Sequence, residues 1–82
     1  MSFSIITTVL NNEDFILDCL ESVKKQNINK KKIEHIIIDG GSEDKTVDII
    51  KNFKKENEYV KFFFKKNLSI YEGINFGIKK SK

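Results

Sequence analysis

The stretch Ile33-Glu34-His35-Ile36-Ile37-Ile38, followed at once by Asp39-Gly40-Gly41-Ser42-Glu43-Asp44-Lys45-Thr46, decides how this chain folds. The first six residues are largely β-branched and nearly unbroken in apolar character. That pattern describes a strand covered on both faces, as in a parallel sheet, and not one with a wet face. A carboxylate stands at the end of this strand, where the backbone holds it rigidly and it can accept hydrogen bonds from a ligand. Two glycines then let the backbone approach a planar or anionic group closely. Ser42 or Asp44 caps a helix predicted over residues 44–55, with Thr46, Val47, Ile49, Ile50 and Phe53 on its inner side. Asp-Gly-Gly-Ser is also good turn chemistry, so on these residues alone a binding role and a turn-forming role for Asp39 stand side by side.

The same alternation repeats on either side of this unit. Phe3-Ser4-Ile5-Ile6-Thr7-Thr8-Val9-Leu10 is a first apolar run of strand length. It leads into a helix predicted over 13–26, whose residues Phe15, Ile16, Cys19, Leu20 and Val23 define one buried stripe. Asn11 or Asn12 caps that helix, and Glu13 and Asp14 suit the positive end of its dipole. Beyond the second helix, Tyr59-Val60-Lys61-Phe62-Phe63-Phe64 is a third strand. Ile70, Tyr71, Ile74 and Ile78 then recur at helical spacing over 70–80. The order βαβαβα demands parallel strands with right-handed crossovers. The fold class is therefore α/β, the three-stranded parallel half of a doubly wound sheet, and such sheets bind ligands at the carboxyl ends of their strands. Those ends read Leu10-Asn11-Asn12-Glu13, Asp39-Gly40-Gly41-Ser42 and Lys65-Lys66-Asn67.

Composition narrows the field further. Eighty-two residues make one small domain, and 39% hydrophobic with 33% charged residues is a globular balance. No apolar run approaches the roughly 18 residues of a membrane span. Met1-Ser2-Phe3-Ser4 lacks the basic region of a secretory leader, so a cytoplasmic location is expected. The single cysteine, Cys19, lies on a packing stripe, has no internal disulfide partner and agrees with a reducing compartment. The net charge of +3 comes entirely from lysines on the basic side. They occur as Lys30-Lys31-Lys32, Lys54-Lys55, Lys65-Lys66 and Lys79-Lys80, scattered and not gathered as on a nucleic-acid-binding face. His35 has no Cys or His companion and is expected to be structural. Neither G-x-x-x-x-G-K-[ST] nor G-x-G-x-x-G occurs. The first and third strand ends also lack the acids of a phosphoaccepting receiver domain.

Four motifs in order carry a family resemblance over nearly the whole chain. Ser4-Ile5-Ile6-Thr7-Thr8-Val9-Leu10-Asn11 resembles the opening strand of family 2 glycosyltransferases, and Glu13, Ile16, Leu20-Glu21-Ser22-Val23 and Gln26 resemble their first helix. Asp39-Gly40-Gly41-Ser42 with Asp44 and Thr46 is similar to their D-G-G-S-x-D-x-T motif. Ser69-Ile70-Tyr71-Glu72-Gly73-Ile74-Asn75-Phe76-Gly77-Ile78 is similar to a G-I-Y-D-A-M-N-x-G-I helix. The resemblance implies a Rossmann-like GT-A sheet, with residues 1–82 as its N-terminal nucleotide-binding part. It also implies a UDP-, GDP- or dTDP-sugar donor and a role in bacterial surface polysaccharide synthesis. By position, Thr7 and Leu10 would line the base pocket, Glu13 would reach base or ribose, and Asp39, with Gly40 beside it, would take the base N–H. Tyr71 and Asn75 would approach from the third helix. Leu10 replaces a frequent aromatic residue, and Asn67-Leu68-Ser69 replaces the usual D-K-G. The family's D-x-D motif, whose carboxylates hold Mg²⁺ or Mn²⁺ in the complete enzyme, is absent before the chain closes at Lys79-Lys80-Ser81-Lys82. The 82 residues alone are thus expected to lack catalytic residues, metal and activity. They are expected to expose the first strand as an edge for a complementary C-terminal half or for self-association. A non-catalytic nucleotide-binding or interaction module and a decayed remnant are the alternative readings.

Overall fold

A computed structural model describes residues 2–27, 32–67 and 69–81. Met1, Lys30, Lys31, Leu68 and Lys82, all named above, lie outside them, as does the side chain of Ile70. The elements run β1 (Ser2–Val9), α1 (Ile16–Asn27), β2 (Lys32–Asp39), α2 (Thr46–Lys55), β3 (Val60–Phe64) and α3 (Ile70–Lys80). The strands form one parallel sheet in the order β1-β2-β3, which is the predicted βαβαβα arrangement. Among the described residues no helix is long and apolar enough to cross a membrane.

The register explains the unbroken apolar strands. Thr7 lies opposite Ile37, Val9 opposite Asp39 and Ile37 opposite Phe62, so all of these share one face with His35 and Val60. That face packs under α1 and α2, where Val9, Ile16, Leu20, Ile37, Ile50 and Val60 form the core, with Ile49, Phe53, Tyr59 and Phe62 against it. The opposite face, with Ile6, Thr8, Ile36, Ile38 and Phe63, lies under α3. Helices on both faces leave β2 no wet side.

Three expectations need correction. Helix α1 begins at Ile16 and not at Glu13. Residues 13–15 form a turn closed by the N–H groups of Phe15 and Ile16 on the Asn12 carbonyl, at 3.1 and 2.9 Å. Phe15 therefore stands in that turn, 67% exposed, and not on the buried stripe. Helix α2 begins at Thr46, after Lys45, which offers no side-chain cap. In α3, finally, the apolar stripe is not the face that meets the sheet. Gly73 and Gly77 meet it, so closely that a Cβ on Gly73 would stand 2.8 Å from Thr8 Cγ2 and one on Gly77 2.6 Å from Ile6 Cγ2. Phe76 reaches towards β3 and packs edge-on against Phe63 at 5.1 Å. The other flank of α3 therefore overhangs β1, where Ile74 and Ile78 stay 42% and 57% exposed.

His35 is the one histidine, and it is fully buried in β2. Its Nε2 lies 2.8 Å from Thr7 Oγ1, while Nδ1 has no partner. If Nε2–H donates to the threonine oxygen, the atom left unpaired is a lone pair, a less costly orphan than a buried N–H. Burial lowers the pKa from 6.5 to about 4, so the folded chain holds a neutral imidazole. As pH falls below 6.5, the unfolded chain takes up a proton that the folded chain refuses. Stability is therefore full above that pH and declines until about pH 4. Between pH 7 and pH 5 the expected loss is about 2 kcal/mol. Urea unfolding at the two pH values measures it, and His35→Leu should flatten the slope whatever its own stability. An equal slope in that variant would show that His35 does not cause the pH dependence.

Candidate functional site

The carboxyl ends of the three strands form one edge, organised by Asp39. Asp39 is the last residue of β2 and points into the α1/α2 face with no exposed surface. A carboxylate so placed must find donors nearby. Its Oδ1 accepts the N–H groups of Gly41 and Ser42, at 2.8 and 2.6 Å, while Oδ2 has no partner. Closing this turn puts Gly41 at φ +118, a conformation that side chains rarely adopt. Asp39 thus ties its own loop together through one oxygen, and its other oxygen lies covered.

The β2–α2 loop is then latched to the β1–α1 loop. Asn11 N–H donates to Ser42 Oγ at 2.8 Å, and Glu43 N–H donates back to Asn11 Oδ1 at 2.8 Å. Asn12 N–H donates to Thr46 Oγ1 at 2.8 Å, and Glu13 N–H to Asp44 Oδ2 at 3.2 Å. Asn11 adopts a left-handed φ of 47° to reach its partners. Asp44 Oδ1 also accepts Thr46 N–H at 2.9 Å. Desolvation raises the Asp44 pKa, but the hydrogen bonds from Thr46 and Glu13 outweigh it and hold the carboxyl below its ordinary value. The β3–α3 loop joins through Lys65 N–H on the Asp39 carbonyl (2.8 Å) and Asn67 N–H on the Gly40 carbonyl (3.0 Å).

The structure brings Leu10, Glu13 and Gly40 to this edge. Leu10 is 59% exposed just beyond β1, and with Thr8, Val9 and Asn12 it lines an open hollow of about 340 Å³. Glu13 is exposed in the turn that follows, and Gly40 donates its N–H to the Val9 carbonyl at 3.0 Å. Three of the predicted residues lie elsewhere. Thr7 faces the α1/α2 layer, bonded to His35. At about 100° per residue, Tyr71 and Asn75 fall on the side of α3 turned away from the Gly73–Gly77 face, and both are exposed, Tyr71 by 76%. Thr8 was missed, although strand alternation carries the signal: a side chain sharing a face with Leu10 must come from Thr8 and not from Thr7. Among the described residues no group of three or more His, Cys, Asp or Glu side chains could hold a metal ion. No metal-dependent step is derived from them.

Comparison with known proteins gives a consistent picture. The family described as "Glycosyl transferase family 2" matches residues 4–82. The poly(ribitol-phosphate) beta-glucosyltransferase of Bacillus spizizenii is 40% identical over 60 residues, which is 73% of this chain and 10% of that protein. A dolichyl N-acetyl-alpha-D-glucosaminyl phosphate 3-beta-D-2,3-diacetamido-2,3-dideoxy-beta-D-glucuronosyltransferase of Methanococcus voltae is 36% identical over 78 residues, 93% of this chain and 24% of that protein. The poly(ribitol-phosphate) beta-N-acetylglucosaminyltransferase TarS of Staphylococcus aureus is 32% identical over 56 residues, 68% of this chain and 10% of that protein. The chain thus spans from a tenth to a quarter of the length of these relatives.

The latch makes a separable prediction. Asp39→Ala strands the N–H groups of Gly41 and Ser42 and should cost about 2–4 kcal/mol in urea unfolding. Leu10→Ala and Glu13→Ala, at exposed positions, should change stability by less than about 0.5 kcal/mol. A neutral Asp39→Ala would mean that the turn does not depend on its carboxylate.

Proposed function

The chain belongs to glycosyl transferase family 2, and from that premise we propose that it is the donor-binding front part of an enzyme that moves a sugar from a nucleotide-diphosphate sugar to an acceptor hydroxyl. The observation that carries this reading is the strand-end edge itself. Three loops are cross-bonded into one body, with Leu10 lining an open hollow beside Thr8, Val9 and Asn12, and with Glu13 and Gly40 on the same two loops. Ligands of open parallel sheets bind at such an edge. We assign the base to the apolar wall of Leu10 beside Thr8, and the ribose to the Glu13 carboxylate. Two of the relatives above act, by their names, on poly(ribitol-phosphate), which supports synthesis of bacterial surface polysaccharide as the setting. The Mg²⁺ or Mn²⁺ of the complete enzyme, and the groups that act on the acceptor, belong to other residues of that enzyme. We infer a cytoplasmic setting for the donor side of the reaction.

Titration with UDP, GDP and dTDP, with and without Mn²⁺, tests the reading by amide NMR. Shifts should concentrate at Thr8, Leu10, Glu13 and Gly40, and the three nucleotides should rank by base. A folded chain with no shifts at these positions would overturn the assignment of a nucleotide half-site to them.

The same reading covers the free edge of β1. Ser2–Val9 carries no charged residue and pairs with β2 alone among the described residues, and exposed Ile74 and Ile78 overhang it. Such an edge invites another strand. We propose that a complementary segment covers it in the complete enzyme and that the isolated chain pairs with itself. Sedimentation velocity at rising concentration should show self-association, which Ile5→Lys or Ile74→Lys weakens. A monomer at millimolar concentration would refute it.

A further inference from the structure

We propose that Lys66 is the residue that meets the phosphates of the donor, an assignment that rests on the nucleotide-diphosphate reading above. The glycine loop cannot fill that role with its backbone. The N–H groups of residues 11, 12 and 13 donate to Ser42 Oγ, Thr46 Oγ1 and Asp44 Oδ2. Those of residues 40, 41, 42 and 43 donate to the Val9 carbonyl, to Asp39 Oδ1 twice, and to Asn11 Oδ1. An anion-binding nest needs successive N–H groups that point outward, and here seven donors on the two loops are turned inward. With these seven donors taken, a side chain is the group left over the glycine loop to meet an anion.

Three lysines stand near the loops, and geometry separates them. Lys45 precedes α2, on the sheet face opposite α3. Lys65 is turned onto α3, its Nζ 4.9 Å from the centre of the Phe76 ring. Lys66 lies over the glycine loop: its Cγ is 3.2 Å, and its Cα 3.5 Å, from the point where a Gly41 Cβ would stand. Its backbone is fixed from both sides, by Lys65 N–H on the Asp39 carbonyl and by Asn67 N–H on the Gly40 carbonyl. Asn67 takes a left-handed φ of 65° to complete that clamp. The missing side chain at residue 41 thus makes room for the lysine stem and not for the ligand. The stem is held along the loop, and the ammonium, exposed and in no ion pair among the described residues, extends three bonds beyond its Cγ. A fixed stem lowers the entropy lost when the ammonium meets a phosphate.

The test compares each diphosphate with its nucleoside: UDP with uridine, GDP with guanosine and dTDP with thymidine, titrated into the chain without metal. The preferred diphosphate should bind about tenfold more tightly than its nucleoside at 50 mM salt, and the gap should narrow at 200 mM, because an exposed charge contact is screened. Lys66→Gln should remove most of that gap and leave nucleoside binding unchanged. Lys66→Arg should restore it, and Lys65→Gln should leave it intact. If nucleoside binds but the diphosphate gains nothing, or if Lys66→Gln keeps the full gap, the Lys66 assignment fails while the nucleotide reading stands. If neither nucleosides nor diphosphates bind the folded chain, both fail together.

Discussion

The buried carboxylate of Asp39 is the constraint on which the site depends. It ends a strand whose alternation turns it into the α1/α2 layer, where it has no contact with solvent. Donors must therefore come from the segment that immediately follows. Gly41 and Ser42 supply them, and the turn they make accounts for the φ of Gly41. Once that turn is closed, Ser42 Oγ stands where it accepts from Asn11, and Asn11 returns a bond to Glu43. Thr46 and Asp44 complete the latch on Asn12 and Glu13. One unavoidable desolvation cost thus sets the geometry of two loops that are about thirty residues apart in sequence.

This latch changes what a glycine-rich loop means here. Glycines after a strand are often read as room for a phosphate against open backbone donors. In this chain the donors are already bonded within the protein, and the room at Gly41 is filled by the stem of Lys66. On the proposed reading, recognition at the edge falls to side chains on a rigid frame: Thr8 and Leu10, the carboxylate of Glu13 and the ammonium of Lys66. Side chains on a rigid frame lose little backbone freedom on binding, and the interlocked loops are consistent with a site largely formed before the ligand arrives.

The parts legible in the sequence were those set by periodicity. Strand length, helical stripes and the βαβαβα order follow from which residues must be buried, and burial has a period that the sequence displays. What periodicity could not convey was where polar side chains find partners. Asn11 or Asn12 and Ser42 or Asp44 are the cap candidates that the sequence offers to the two helices. In the structure Asn11 and Ser42 bond across the loops, and Asp44 does so while also accepting Thr46 N–H at the start of α2; both helices begin later than expected. Thr7 is a different case: strand alternation turns it to the face opposite Thr8, where it meets His35. In α3 the apolar residues recur at helical spacing, although the face that packs is made of glycine. A helix can approach a sheet that closely only where it has no side chains, and two glycines four residues apart carry little hydrophobic signal.

The same close packing links the edge of β1 to the candidate site. Because Gly73 and Gly77 seat α3 directly on Ile6, Thr8 and Ile38, its remaining apolar flank projects past β1 and not over the sheet. The hollow is lined by Thr8 and Val9 of that same strand, with Leu10 and Asn12 just beyond it. Whatever strand pairs with β1 must pass under Ile74 and Ile78, and its carboxyl or amino end must then stand next to the hollow. On the proposed reading, completing the sheet and walling the nucleotide are one event in space. A segment that pairs with β1 would then also supply a side of the pocket, and the half-site would gain affinity from assembly without any change in its own loops.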